Sequence, residues 1–168
     1  YSLPRMSVSG TLTVEGVPIS VTGAAWMDRE WSTSALGENV AGWDWFGLRL
    51  SDGGSLMFYR LRRWDGTADG FSGGTLVTPE RERRHLARND VDLTPLQYWK
   101  SPVRGTTYPV AWRVRVPAAG LDFELRPYLQ NQELDLSARY WEGAVRGTGT
   151  GAAGNRIAAE GYVELAGY

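Results

Sequence analysis

The sequence predicts an all-β fold, an antiparallel β-barrel of about eight to ten strands. Three observations support it: apolar and polar residues alternate in short segments, turn residues recur between those segments, and aromatic residues are abundant. The 168 residues include 21 glycines, eight tryptophans and eight tyrosines, and aromatic residues favour strands. Sequential hairpins of this kind are typical of an up-and-down barrel or a sandwich, and such a barrel has room for one apolar ligand.

The first two strands form a predicted hairpin over residues 7–14 and 19–27, turning at Gly16-Val17-Pro18. Because side chains of a strand alternate between its faces, Trp26, Asp28 and Glu30 are expected on one face. Two acids beside an indole are unusual for a face that simply meets water.

Residues 43–51 and 55–63 form a second predicted hairpin around Asp52-Gly53-Gly54, a strong turn sequence. The alternation places Asp44 on an otherwise apolar face with Phe46 and Leu48. A carboxylate there needs a cationic or hydrogen-bonding partner, and Arg60 and Arg29 are the candidates that we expect to pair with Asp44, Asp28 or Glu30.

The rest of the chain continues in the same way. Strands are predicted at 71–78, 90–100, 107–116, 121–128, 139–149 and 156–166, the last two joined by the glycine-rich loop 147–154. In 107–116 the pattern puts Tyr108, Val110, Trp112, Val114 and Val116 inside, with Ala111, Arg113 and Arg115 outside. The charged run PERERRHLAR favours a solvated hairpin over a short helix, with His85 on the surface.

Composition excludes several classes of function. The net charge of −1 and pI of about 5.9 give no polycationic surface for nucleic acid. With no cysteine and one histidine, we expect no metal site and no histidine-based triad. Phosphate-binding and dinucleotide-binding motifs are absent, so we expect no cofactor. No apolar run is long enough to predict a membrane-spanning helix.

The strongest candidate for a site is the stretch Gly23 to Arg60, where acids alternate with four of the tryptophans. A carboxyl group among indoles is desolvated, so it can act as a proton donor near neutral pH; the alternative is a structural ion-pair network with the arginines. The candidate catalytic residues are Asp28, Glu30 and Asp44. The candidate ligand-binding residues, expected to line one apolar hollow, are Trp26, Trp31, Trp43, Trp45, Tyr59, Arg60, Trp112, Trp141 and Glu142.

Six segments in order carry a family resemblance that covers nearly the whole chain: AAWMDREWSTS, GWDWFGLRLSDGGSLMFYRLR, YWKSPVRGTTYPVAWRVRVP, QNQEL, YWEGAVRGTG and GYVELAGY. They resemble the AttH-like lipocalin family, which is related to carotenoid 1,2-hydratases (hydroxyneurosporene synthase-like proteins) and includes predicted secreted hydrolases. The resemblance implies a protein of two lipocalin-like barrels, of which this chain is the second and residues 1–6 the connection from the first.

The resemblance also implies functions. One is a lipocalin-like domain that binds an apolar, lipid-like or isoprenoid-like molecule in an exported bacterial protein, secreted or periplasmic, associated with membrane transport machinery. The alternative is a cofactor-free hydratase, isomerase or cyclase that protonates a hydrophobic polyene, with Asp28 as the donor and indole faces stabilising the carbocation. Met27 and Arg29 flank Asp28 where hydratase-like members tend to carry histidine. A structural partner of a transport complex is the third reading.

Overall fold

A computed structural model describes residues 1–31, 36–135 and 139–168. The chain divides into two compact units, Tyr1–Ala35 and Leu36–Tyr168. Across the described ranges it forms twelve β-strands and two single-turn 3₁₀ helices, Arg88–Asp90 and Pro117–Ala119. The all-β prediction is confirmed. There are two more strands than the ten predicted segments, because the charged run contains the strand Arg83–Ala87 and a three-residue strand forms at Glu133–Asp135.

The first unit is a two-stranded antiparallel hairpin of β1 (Ser2–Val14) and β2 (Val17–Asp28). Glu15 and Gly16 both have positive φ at its turn, which suits a tight two-residue connection between strands. Apolar side chains along both strands are exposed, among them Leu12 and Val17.

The second unit is a ten-stranded antiparallel sheet. Its strands are β3 Val40–Leu50, β4 Ser55–Arg63, β5 Gly73–Val77, β6 Arg83–Ala87, β7 Asp92–Lys100, β8 Thr107–Val116, β9 Leu121–Pro127, β10 Glu133–Asp135, β11 Arg139–Thr150 and β12 Arg156–Ala166. Nine of them follow the order β6-β5-β4-β3-β12-β11-β9-β8-β7, and β10 pairs with β11.

Chain connectivity shows that this sheet is curled. β6 and β7 lie at opposite ends of the nine-strand path, which would separate them by about 38 Å in a flat sheet. Yet β6 ends at Ala87 and β7 begins at Asp92, and five residues span at most about 18 Å. The sheet must therefore curve round until its two edges approach each other, as in a barrel.

Glycines without room for a side chain permit this curvature. A Cβ on Gly161 of β12 would lie 1.9 Å from the carbonyl oxygen of Gly47, and one on Gly147 of β11 would lie 1.9 Å from that of Glu124. At both places the neighbouring strand's backbone comes closer than any other residue would allow.

The inner face of the sheet holds one apolar core. Its largest fully buried side chains are Trp112, Trp141, Phe46, Phe58, Phe123, Leu48, Leu56, Leu125, Ile157 and Leu165. The predicted faces of β3 and β8 are confirmed in this core, with one error: Ala111 is buried, since the first half of β8 is covered on both faces. The solvated hairpin of β5 and β6 and the exposed His85 are also confirmed.

Neither of the helical turns in the described ranges has the length and apolar character that crossing a bilayer requires.

Candidate functional site

Asp44 is the one fully buried carboxylate that the described core contains. It lies on the inner face of β3, as predicted, because Phe46 and Leu48 alternate onto the same face. Arg60 of β4, directly opposite in the ladder, donates from Nε to Oδ2 at 2.8 Å, and its Nη2 lies 2.7 Å from the same oxygen. Arg62 donates from Nε to Oδ1 at 3.2 Å. The predicted pairing of Arg60 with Asp44 is confirmed.

A tyrosine completes the shell of Asp44. The hydroxyl of Tyr168 donates to Oδ1, and the guanidinium of Arg62 lies 3.8 Å from the centre of the Tyr168 ring. Burial, followed by the charge of Asp44 and the hydrogen bond to it, raises the pKa of Tyr168. Each of these three side chains thus donates to Asp44, whose oxygens accept all of these bonds.

A second carboxylate with a tyrosine partner lies at the same end of the sheet. Glu133, the first residue of β10, accepts from Tyr108 Oη at 3.0 Å and from Ser101 Oγ at 2.5 Å. Tyr108 and Ser101 are each 2 % exposed. Burial, and then the hydrogen bond to Glu133, raises the pKa of Tyr108 to about 12.

Aromatic rings connect the two carboxylates. The ring centres of Tyr108 and Tyr168 lie 5.7 Å apart, and Trp99 of β7 stacks on Tyr108 with ring centres 6.3 Å apart. We call the set of Asp44, Arg60, Arg62, Tyr168, Tyr108, Glu133, Ser101 and Trp99 the tyrosine–carboxylate cluster. It occupies the end of the sheet where β3, β8 and β11 begin and β4, β7 and β12 end.

The two carboxylates differ in their charge partners. Asp44 forms ion pairs with two arginines, whereas Glu133 has no cationic group within 4.0 Å in residues 1–31, 36–135 and 139–168. Its partners there are two hydroxyl groups, which can either donate or accept. Among the described residues the Glu133 carboxylate is therefore held by hydrogen bonds from hydroxyl groups and not by an ion pair.

Trp112 contacts Arg60 of this cluster and has a buried polar atom, Nε1. Its side chain is fully buried, Phe46 packs edge-on against it at 5.4 Å, and the Arg60 guanidinium stands 5.3 Å from the centre of its ring. Within the described residues its Nε1–H has no hydrogen-bond acceptor. A buried donor of this kind costs stability.

The candidate residues of the hairpin lie in the first unit. Asp28 accepts from Ser2 Oγ and from Trp26 Nε1, the latter at 3.0 Å, which confirms that Trp26 and Asp28 share a face. Asp28 and Glu30 are both exposed, and Trp31 is 72 % exposed beneath the Arg29 guanidinium. The expected desolvation of these two acids is therefore not found, since water reaches them. Their catalytic roles stay a prediction.

The candidate aromatic residues of the second unit do not line one hollow. Trp141 is buried in the core and donates from Nε1 to the carbonyl of Gln130 at 2.8 Å. Trp43 and Trp45 alternate onto the opposite, outer face of β3, where Trp45 pairs with Tyr59 of β4. Trp43 donates to Glu164 at 2.7 Å. Glu142, next to the inward-facing Trp141, also lies on the outer face. An indole-lined cavity formed by all of these rings is therefore wrong: period two divides them between two faces.

The sequence reasoning missed Glu133, Tyr108, Ser101 and Tyr168 as a group. Tyr108 was placed in the core correctly, and Glu133 lies within the QNQEL segment that carries the family resemblance. The signal that could have found them is a buried strand tyrosine, whose hydroxyl needs a partner.

Comparisons with known proteins agree with this architecture. The model of the AttH-like family matches residues 1–168. A solved AttH structure from Nitrosomonas europaea is 36 % identical with a TM-score of 0.86, and the match covers 100 % of this chain and 52 % of that one. Kievitone hydratase from Nectria haematococca shares the fold at 24 % identity and a TM-score of 0.78, over 98 % of this chain and 51 % of that one.

Sequence comparison also finds a relative that is named for water chemistry. Dehydratase asqC of Emericella nidulans is 27 % identical in an alignment of 143 residues that covers 79 % of this chain and 39 % of the relative. The chain thus spans about half the length, or less, of the proteins that it matches. With a family match over its full length and the lipocalin-like curled sheet of a solved member, this chain belongs to the AttH-like family.

Proposed function

We propose that this domain binds a hydrophobic small molecule and adds water to it, or removes water from it, with Glu133 handling the proton and Tyr108 holding the Glu133 carboxyl group. The observation that carries the proposal is the Glu133 carboxyl group: it is held by two buried hydroxyl groups beside aromatic rings, with no arginine within ion-pair distance among the described residues. That is the environment in which a carboxyl group can both give and take a proton.

The proposed reaction balances without an oxidant or reductant. In the hydration direction, protonated Glu133 gives its proton to one alkene carbon, and the adjacent carbon becomes a carbocation. Water adds there and returns a proton to the Glu133 carboxylate; elimination is the reverse. The rings of Trp99, Tyr108 and Tyr168 offer π faces that stabilise the cation.

Asp44 takes a different role in this proposal. Its oxygens accept hydrogen bonds from two arginines and a tyrosine, so we assign it a positioning role and no proton transfer. It fixes Arg60 and Tyr168 in place next to the rings. Tyr168 in turn keeps its proton because its pKa is raised.

The relatives support the reaction class. Two of them are named for water chemistry, as a dehydratase and as a hydratase of kievitone, and the family resemblance includes carotenoid 1,2-hydratases. Those activities belong to proteins about twice the length of this chain. We therefore propose that a second barrel domain accompanies this one in the working protein. From the family resemblance we also propose that the protein is exported.

A carrier is the second candidate, and an open cavity of about 900 Å³ in the second unit favours it. That volume fits a ligand of ordinary drug size. A carrier needs the cavity but no proton transfer. Measuring turnover therefore distinguishes the two candidates, whereas measuring binding does not.

The test uses the intact protein purified from the cells that make it. Native mass spectrometry first identifies any small molecule that stays bound. The protein is then incubated in H₂¹⁸O with a lipid extract of those cells and, separately, with kievitone. Products that have gained one molecule of ¹⁸O-labelled water are sought. Labelled product from the wild type but not from Glu133→Gln supports the enzyme. A retained ligand with no labelled product in either protein supports the carrier.

A further inference from the structure

The wall of the curled sheet has a cleft between β4 and β7. β5 pairs with β4 only as far as Tyr59 opposite Gly73, so the last residues of β4 have residues 64–72 beside them instead of a full strand. The cleft next to them has a volume of about 900 Å³. All of its lining residues belong to the second unit.

Arginines dominate the charge of this cleft. It is lined by Arg60, Arg63, Arg88, Arg113 and Arg115, with Asp92 as the one acid in the lining. Five guanidinium groups around one cavity repel one another unless anions lie nearby. Three aspartates outside the lining, Asp44, Asp69 and Asp122, supply part of that compensation.

The arginines keep donors available despite these pairs. Arg60, Arg63 and Arg113 each bind their aspartate through the same edge, Nε and Nη2, at 2.7–2.9 Å. A guanidinium group has five N–H donors, so the Nη1 end of each is left for another acceptor. Arg88 has no acid within ion-pair distance in the described part of the chain; it bonds to Ala68 O and to Asn89.

Apolar side chains also line the cleft, beside the uncharged polar residues Thr67, Ser72, Asn89 and Thr94. Phe58 and Val91 are buried at its floor, and Leu93 and Leu96 of β7 lie along its side. A ligand in the cleft would therefore meet apolar side chains and several guanidinium groups at once. Guanidinium groups recognise carboxylates with planar, paired hydrogen bonds.

We propose that this cleft binds an amphipathic organic carboxylate, with its carboxylate among the arginines and its hydrocarbon part against Phe58, Val91, Leu93 and Leu96. The proposal deepens the proposed function by giving its ligand a charge and an anchoring point, and Arg60 joins the cleft to the tyrosine–carboxylate cluster. It is tested by binding alone. A protein that binds the carboxylate but adds no water leaves this inference standing and contradicts the proposed reaction.

The test titrates the intact protein with dodecanoate, dodecanol and dodecyltrimethylammonium below their aggregation concentrations, at low and high salt. We expect dodecanoate to bind at least about tenfold more tightly than the other two, and salt to weaken dodecanoate binding. The double variant Arg88→Gln/Arg113→Gln should lose about tenfold or more in dodecanoate affinity. Arg84→Gln, at an exposed arginine outside the cleft, should keep the wild-type affinity.

Arg88→Glu provides a second variant with little risk to folding, because Arg88 is exposed. It should repel dodecanoate while leaving dodecanol binding and the unfolding midpoint unchanged. Equal affinities for dodecanoate and dodecanol, or dodecanoate binding that Arg88→Glu does not weaken, would overturn the proposal, as would no binding of dodecanoate at all.

Discussion

The hydroxyl of Tyr108 donates to Glu133 across 25 positions of the chain, at 3.0 Å, inside the end of the curled sheet. Tyr108 belongs to β8, which is paired on both sides with β7 and β9, and Glu133 belongs to a short strand that, among the described strands, pairs with β11 alone. The bond therefore ties β10 to the core, and it links the stability of the fold to the protonation of Tyr108.

Stability should fall at high pH through Tyr108. Its pKa is about 12 in the folded chain against 10.0 for an ordinary tyrosine, because burial and then Glu133 disfavour the phenolate. A pKa raised by folding gives stability that is complete below pH 10 and is lost as the pH rises through 12. The loss amounts to about 2–3 kcal/mol.

Urea unfolding of the wild type and Tyr108→Phe between pH 9 and pH 12 checks this value. Across this range the wild type should lose about 2–3 kcal/mol of unfolding free energy relative to Tyr108→Phe, which has no hydroxyl group to ionise. Tyr98→Phe changes a residue that is 60 % exposed and should follow the wild type. A difference that stays constant with pH would show that Tyr108 has no raised pKa.

Asp44→Asn should be strongly destabilising at neutral pH. The change removes the charge that faces Arg60 and Arg62, whose side chains are only 26 % and 16 % exposed, and leaves two cations poorly compensated. We expect a loss of about 3–5 kcal/mol in unfolding free energy. Thermal and urea unfolding measure it.

Glu82→Gln is the matched control, because Glu82 pairs with Arg84 at the surface, where both side chains are more than half exposed. It should change stability by less than about 1 kcal/mol. Equal effects of the two substitutions would contradict the importance assigned to the buried pair.

Gly161→Ala should disturb the curvature of the sheet. The added methyl group would lie 1.9 Å from the Gly47 carbonyl oxygen and 3.0 Å from Leu48 Cα, so β3 and β12 would have to separate. A loss of about 1–3 kcal/mol or more is expected. Gly10→Ala, at a strand glycine with nothing within 4 Å, should be neutral or stabilising; loss of the same size at both sites would rule out close strand approach as the reason.

The local pattern of the sequence predicted the sheet strands and their faces well. Period two alone placed Asp44 inside with Phe46, and the hairpin register then brought Arg60 opposite it. Ala111 was placed wrongly because alternation assumes one covered face, whereas the start of β8 is covered on both.

The site was harder to predict, because it depends on contacts between distant segments. Nothing local to Glu133 shows that β10 returns to the sheet and meets Ser101 and Tyr108. The sequence likewise showed indoles beside Asp28 and Glu30 but could not show that water reaches both acids.

The most direct test of the account is single-turnover ¹⁸O incorporation by the wild type and Glu133→Gln, each loaded with the ligand that native mass spectrometry identifies. We predict labelled hydration product from the wild type and none from Glu133→Gln, with equal ligand occupancy and similar unfolding midpoints. Labelled product formed by Glu133→Gln at the wild-type rate would contradict the assignment of the proton to Glu133.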